Sequence, residues 1–142
     1  MYRHPLFIVW FLILLLIALV HNAAQAFSLY WLFSWLDILM HFLGGIFIGL
    51  STLWFFFESG YVSIERNLRN IARVTAAAII GIGIGWEIFE VVAGIPIEDN
   101  YVLDTIIDVG MDILGSFVAA YAYARVYLGM RTMDSDRQRG NQ

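Results

Sequence analysis

Apolar residues in this chain come in long runs, without the strict alternation of a half-buried strand or the single stripe of a soluble surface helix. The first run extends from Leu6 to about residue 22, the second from about Leu36 to Phe57, the third from about Ile71 to Ala93, and the fourth from about Asp104 to Leu128. At ~1.5 Å of rise per residue, runs of roughly 20 residues match the ~30 Å hydrocarbon core of a bilayer. The pattern predicts an all-α fold, a membrane-embedded bundle of four transmembrane helices over residues 1–129. A polar tail at 130–142 is expected to be cytoplasmic and disordered.

Composition leaves room for little else. Of 142 residues, 61% are hydrophobic and only 14% charged, and mean hydropathy is +0.74, far from the values of a soluble domain. Four spans consume nearly the whole length, so a separate soluble domain does not fit. There is no cysteine, which excludes disulfides, thiolate metal sites and cysteine nucleophiles together.

The net charge of −4 becomes informative once it is divided by side. Arg3 precedes the first run, Arg66, Arg69 and Arg73 surround the second connection, and Arg125, Arg131, Arg137 and Arg139 close the chain. The connections Asn22 to Trp35 and Gly94 to Leu103 hold no cation, and the first carries Tyr30, Trp31 and Trp35. By the positive-inside rule both termini are cytoplasmic, and the expected location is a prokaryotic plasma membrane. Between Tyr61 and Arg73, Ile64, Leu68 and Ile71 recur at helical spacing, which predicts a short interfacial helix touching anionic lipid. Arg3, the short first run and Ala24-Gln25-Ala26 also describe a cleavable secretory signal; a retained helix is the expectation, and either outcome leaves the later spans oriented alike.

Against this background six carboxylates stand out. Asp37, Glu87, Glu90, Asp104, Asp108 and Asp112 lie within or at the edges of the last three runs, with no Arg or Lys nearby in sequence. An ionised group in hydrocarbon costs several kcal/mol unless it is paired, protonated or metal-bound, so such a cluster marks a functional site. Asp37 and His41 are four apart, Glu87 and Glu90 three apart, and Asp104, Asp108 and Asp112 successively four apart, so each set lines one face of its helix. The orientation puts all seven in the outer half of the bilayer, where three helices aim ligands at one pocket facing the extracytoplasmic side. No polar residue is expected along the inner half.

The bland readings differ by residue. Asp104 with Thr105 would serve as a helix N-cap, and Asp37 as a helix-entry residue. His21 and His4 read as wet side chains at helix ends, and Glu98, Asp99 and Asn100 as a solvated outer loop. His41 stands one turn below Asp37 on an otherwise apolar face and reads as a ligand or proton carrier. Gly45 with Gly49, Gly81 with Gly85, and Gly115 with Ala119 read as packing seams that bring the walls together; a phosphate-cradling loop would need a soluble strand-to-helix setting.

Oxygen-rich donors with a single imidazole suit Mg, Mn, Ca or Fe, and Zn less well. The expected metal ligands are Asp37, His41, Glu87, Glu90, Asp108 and Asp112, with Asp104 ranked below them; Glu87, Glu90 and His41 are the candidates for acid–base work. The same crowding would also suit shared protons or a sodium or proton pathway.

The sequences D-x-x-x-H opening the second run, W-E-x-x-E from Trp86 to Glu90, and D-x-x-x-D-x-x-x-D-x-x-G from Asp104 to Gly115 resemble the small polytopic proteins of the VanZ-like and YjdF-like groups. The resemblance covers three of the four helices and implies that Asp37, His41, Glu87, Glu90, Asp108 and Asp112 are motif positions. It also implies a link to the bacterial cell envelope. Those groups often carry Asn where Asp112 stands, and VanZ-like members often have an Arg before the last helix that this chain lacks, which removes a phosphate clamp.

Three functions follow as expectations. One is an intramembrane metal-binding protein acting on a lipid or lipid-linked envelope substrate. Another is a cation- or proton-coupled transporter subunit, which with four spans needs a homo-oligomer; the third is a non-catalytic partner with a structural ion. The bilayer is the expected partner and nucleic acid is not, because the arginines are few and hug one membrane face.

Overall fold

The structure, a computed structural model, describes the backbone of residues 5–94 and 100–139 and the side chains of residues 6–94 and 100–127. Arg3, His4, Glu98, Asp99 and the side chains of Arg131, Arg137 and Arg139 lie outside the described residues. Helix α1 is Pro5–Ala26, α2 is the single turn Leu29–Leu32, α3 is Trp35–Leu53, α4 is Leu68–Ala93 and α5 is Tyr101–Arg139. No strand occurs among the described residues. Three helical stretches are long and apolar enough to cross a membrane: Leu6–Ala26, Trp35–Glu58 and Leu68–Ala93. The fourth run forms the first part of α5, which carries Asp104, Asp108 and Asp112.

Local chemistry sets the helix ends. Pro5 opens α1, where its fixed φ suits a first turn. After Leu53 the helix widens into a π-helical turn, Trp54–Glu58, closed by the Ser59 N–H on the Trp54 carbonyl at 2.8 Å. The Asn67 side chain caps α4 by accepting from the Asn70 N–H at 2.9 Å. Gly94 ends α4 in the left-handed region, φ 66°, which a residue without Cβ adopts freely. The Asn67 cap corrects one expectation: there is no interfacial helix from Tyr61, because the chain is irregular up to Asn67 and becomes helical only at Leu68. Ile64 instead packs against the core cluster. At the other end, α5 continues unbroken to Arg139, so residues 130–139 extend the last helix where a disordered tail was expected.

Helix α3 is central, touching α1, α4 and most extensively α5. The α3–α5 contact is backbone-close. A Cβ at Gly45 would run into the Asp112 carbonyl, one at Gly115 into the Phe42 carbonyl, and one at Gly49 would sit 2.9 Å from the Ala119 Cβ. Gly45, Gly49 and Gly115 thus form the anticipated seam. Gly81 and Gly85 do not, since both face open space; it is Gly83, between them, that turns inward. Further along, Leu53, Phe57, Ile71, Tyr123 and Ala124 build a core of side chains. Helix α1 is peripheral, fixed to α3 by Trp10, which donates through Nε1 to Ser51 Oγ at 2.7 Å and stacks on Phe47.

Burial is inverted relative to a water-soluble protein. Leu19, Ile88 and Phe117 are 62%, 59% and 65% exposed, while Asp108, Asp112 and Glu87 are 2%, 4% and 7% exposed. Apolar surface outward and acids inward is the arrangement that lipid as solvent permits.

Candidate metal centre

The facing turns of α3 and α5 carry the site. Asp37 lies in the first turn of α3 and His41 one turn later; Asp108 lies opposite on α5. One ligand atom from each of Asp37, His41 and Asp108 falls within 4.8 Å of the others. Donors sharing a cation at ~2.0–2.6 Å stand about 3 to 5 Å apart, so the spread fits one ion. His41 lies between two acids, Nε2 being 3.8 Å from Asp108 Oδ2 and Nδ1 3.5 Å from Asp112 Oδ1. Asp108 Oδ1 is buried with no hydrogen-bond partner.

Asp112 packs closely against glycines of α3 and α4. A Cβ on Gly83 would lie 3.2 Å from Asp112 Oδ2, and one on Gly44 would lie 3.8 Å from Oδ1. Gly83 on α4 therefore leaves room that this carboxylate fills, while a Cβ at Gly44 would be in ordinary contact with it. Asp112 adjoins the imidazole edge away from Asp108, the position from which a carboxylate fixes the ring of a metal-binding histidine.

The remaining predicted acids stand around this group. Glu87 is buried, but its Oε2 accepts from Thr105 Oγ1 at 2.9 Å and its Oε1 has no partner. Glu90 is half-buried within electrostatic reach of Glu87, His41 and Asp37, and Asp104 is half-buried within reach of Asp37 and Asp108. Asp104 and Thr105 do not cap α5, which begins three residues before Asp104 at Tyr101. Among the described residues no Arg or Lys pairs with any member of the cluster. His21, exposed, meets Tyr30 Oη at 3.0 Å.

A family model described as "Predicted membrane protein (DUF2238)" matches residues 2–128. The chain belongs to the DUF2238 family. No curated protein and no solved structure matches it. The match covers the whole acidic cluster of this DUF2238 chain, and it supports a small membrane-protein family without tying the chain to the VanZ-like or YjdF-like groups.

Thr105, Gly44 and Gly83 were missed from sequence as parts of the site. Thr105 was legible in principle, since 105, 108 and 112 share one helical face. The two glycines became meaningful only once Asp112 was seen between them. A second polar group was missed altogether. Arg66, expected at the lipid interface, pairs with Glu58 at 3.1 Å, donates to the Phe57 carbonyl and lies over the Tyr127 ring, while Tyr123 Oη donates to Glu58 at 2.7 Å. Nor is the interior beyond the site free of polar residues, as Thr52, Thr75 and Ser116 are buried there.

Proposed function

We propose that this DUF2238 chain is a four-span membrane protein with cytoplasmic termini that holds a divalent cation in the outer half of a prokaryotic plasma membrane and acts on a lipid or lipid-linked envelope substrate. The observation that carries this reading is the buried, unpartnered Asp108 Oδ1 beside Asp37 and His41, with no Arg or Lys paired to the group among the described residues. Asp37, Asp108 and His41 Nε2 are the ligands, and Asp112 orients the imidazole through Nδ1. Two carboxylates balance a divalent charge, which is what a low-dielectric setting demands. The donor set suits Mg, Mn, Ca or Fe better than Zn. A bound cation would polarise a phosphoryl or carbonyl oxygen and acidify a water. Glu90, half-buried beside the group, is placed to accept or return a proton, and Glu87 flanks it from α4. The arginine-free connections support the orientation, and the acidic face of α5, covered by α3 and α4, supports a fourth span.

Metal analysis of detergent-purified protein tests the reading. Wild type incubated with Mg, Mn, Ca or Fe and then desalted is expected to retain about one ion per chain. Asp108→Asn should retain none, whereas Glu58→Gln, at the far end, should match wild type. Wild type that holds no ion under any of these conditions overturns the proposal.

A second reading, cation or proton transport through an oligomer, draws on Thr75 Oγ1 and Ser116 Oγ, which are buried without partners on the side of the site toward Glu58. Ion flux into proteoliposomes by metal-free protein would select it.

A further inference from the structure

Between the C-terminal half of α4 and the N-terminal half of α5 lies a crevice of about 270 Å³, with Ile84, Ile88 and Val92 on one wall and Tyr101 and Val109 on the other. Ile84, Ile88 and Val92 belong to the exposed apolar surface of a helix long and apolar enough to span a bilayer, so the phase against this opening is lipid. Its volume is below the ~300–1,000 Å³ of ordinary ligand pockets, which suits one alkyl chain and no bulky group. Glu87 also lines the crevice. One of its oxygens is satisfied by Thr105, and the other is buried with no donor. A carboxylate oxygen left in that state among apolar walls calls for a hydrogen bond from outside the chain.

We propose that the crevice seats a single alkyl chain of a membrane amphiphile with a donating, non-anionic head, a hydroxyl or an ammonium, whose donor meets Glu87 Oε1 beside Thr105. Anionic heads are disfavoured because no Arg or Lys lines the crevice and Glu87 repels them. The inference rests on the lipid-substrate reading and deepens it: Thr105 and Asp108 share one face of α5, so a head held at Glu87 lies next to the metal ligands.

Photoreactive hexadecanol, hexadecylamine and hexadecanoic acid, each with a diazirine in the chain, are the probes, presented to the full-length protein in nanodiscs. Hexadecanol, hexadecylamine or both should label residues 84–92 and 101–109 about tenfold more than the equally lipid-exposed α1, and hexadecanoic acid should not. Labelling by only one of the two distinguishes hydroxyl from ammonium. Val109→Phe should cut crevice labelling about tenfold while metal content is kept, with Ile88→Trp as the substitute if Val109→Phe loses helicity. Glu87→Leu should erase the preference for donating heads. Asp108→Asn should lose metal yet keep the labelling, so failure of the metal reading and failure of the crevice are told apart. Equal labelling of α1 and the crevice, or equal labelling by acid and alcohol, overturns the proposal.

Discussion

Two acidic sites are built on the same helices and treated in opposite ways. Glu58 lies 17 residues after His41, about 25 Å along the helix, and its side chain, 10% exposed, is held by Arg66 and Tyr123. Asp37, Asp108, Asp112 and Glu87 have one histidine and one threonine among them, and two buried oxygens are left without partners. The walls differ as well: Leu53, Phe57, Ile71 and Tyr123 fill the Glu58 end, while Gly44, Gly45, Gly83 and Gly115 thin the helices around Asp112. A carboxylate supplied with its own cation is fastening the bundle. On the proposed reading, a carboxylate group without Arg or Lys is left for an arriving cation, and removing one of its acids should not unfold the protein.

That contrast breaks most sharply at the thin wall. Gly115→Leu forces a side chain into the Phe42 carbonyl, where backbone cannot yield, and should cost about 3 kcal/mol or more. Loss of helicity on heating in detergent should come at a much lower temperature, with metal binding lost. Gly81→Leu meets open space and should stay within about 0.5 kcal/mol of wild type. If both variants behave alike, the close approach of α3 and α5 is not what shapes the site.

Arg66→Met comes next. It strips Glu58 of its countercharge and should destabilise by about 1 to 3 kcal/mol, toward the lower figure because the Arg66 side chain is 37% exposed. Metal content should not change. Tyr123→Phe removes one interhelical hydrogen bond and should cost about 0.6 kcal/mol, with ~1.7 as the ceiling, again without touching metal. The smallest effect on stability belongs to Asp108→Asn: metal-free protein should melt at the wild-type temperature or slightly above, because a like charge has been taken out of a crowded group. A fall of several degrees in the metal-free state would mean that the two acidic sites serve the same structural purpose.

The sequence was legible where a single helix decides the outcome. Apolar runs located the helices, Gly94 stands where a helix-ending residue belongs, and four-residue spacing put Asp37 with His41 and Asp108 with Asp112. What depends on how one helix is rotated against another was not legible. Spacing alone cannot say whether Gly81 or Gly83 faces inward, because their neighbours Ile80, Ile82 and Ile84 are equally apolar on every side. The Glu58–Arg66–Tyr123 group joins residues up to 65 positions apart, and an arginine near a membrane boundary already had a sufficient explanation in topology. Thr105 makes sense as a cap only for a helix that starts at Asp104, and α5 begins at Tyr101.

The π-helical turn at Trp54–Glu58 does more than close α3. A π turn takes up one residue more than an α turn, so the chain leaves it about 100° less far round the axis than an uninterrupted α-helix would place it. Glu58 therefore owes its inward aim toward Tyr123 to one surplus position. Deleting a single aromatic from Phe55-Phe56-Phe57 would let the turn close as α and keep the carboxylate aimed at Tyr123, whereas forcing the present length into α geometry would swing it by about 100° and disconnect the arginine clamp.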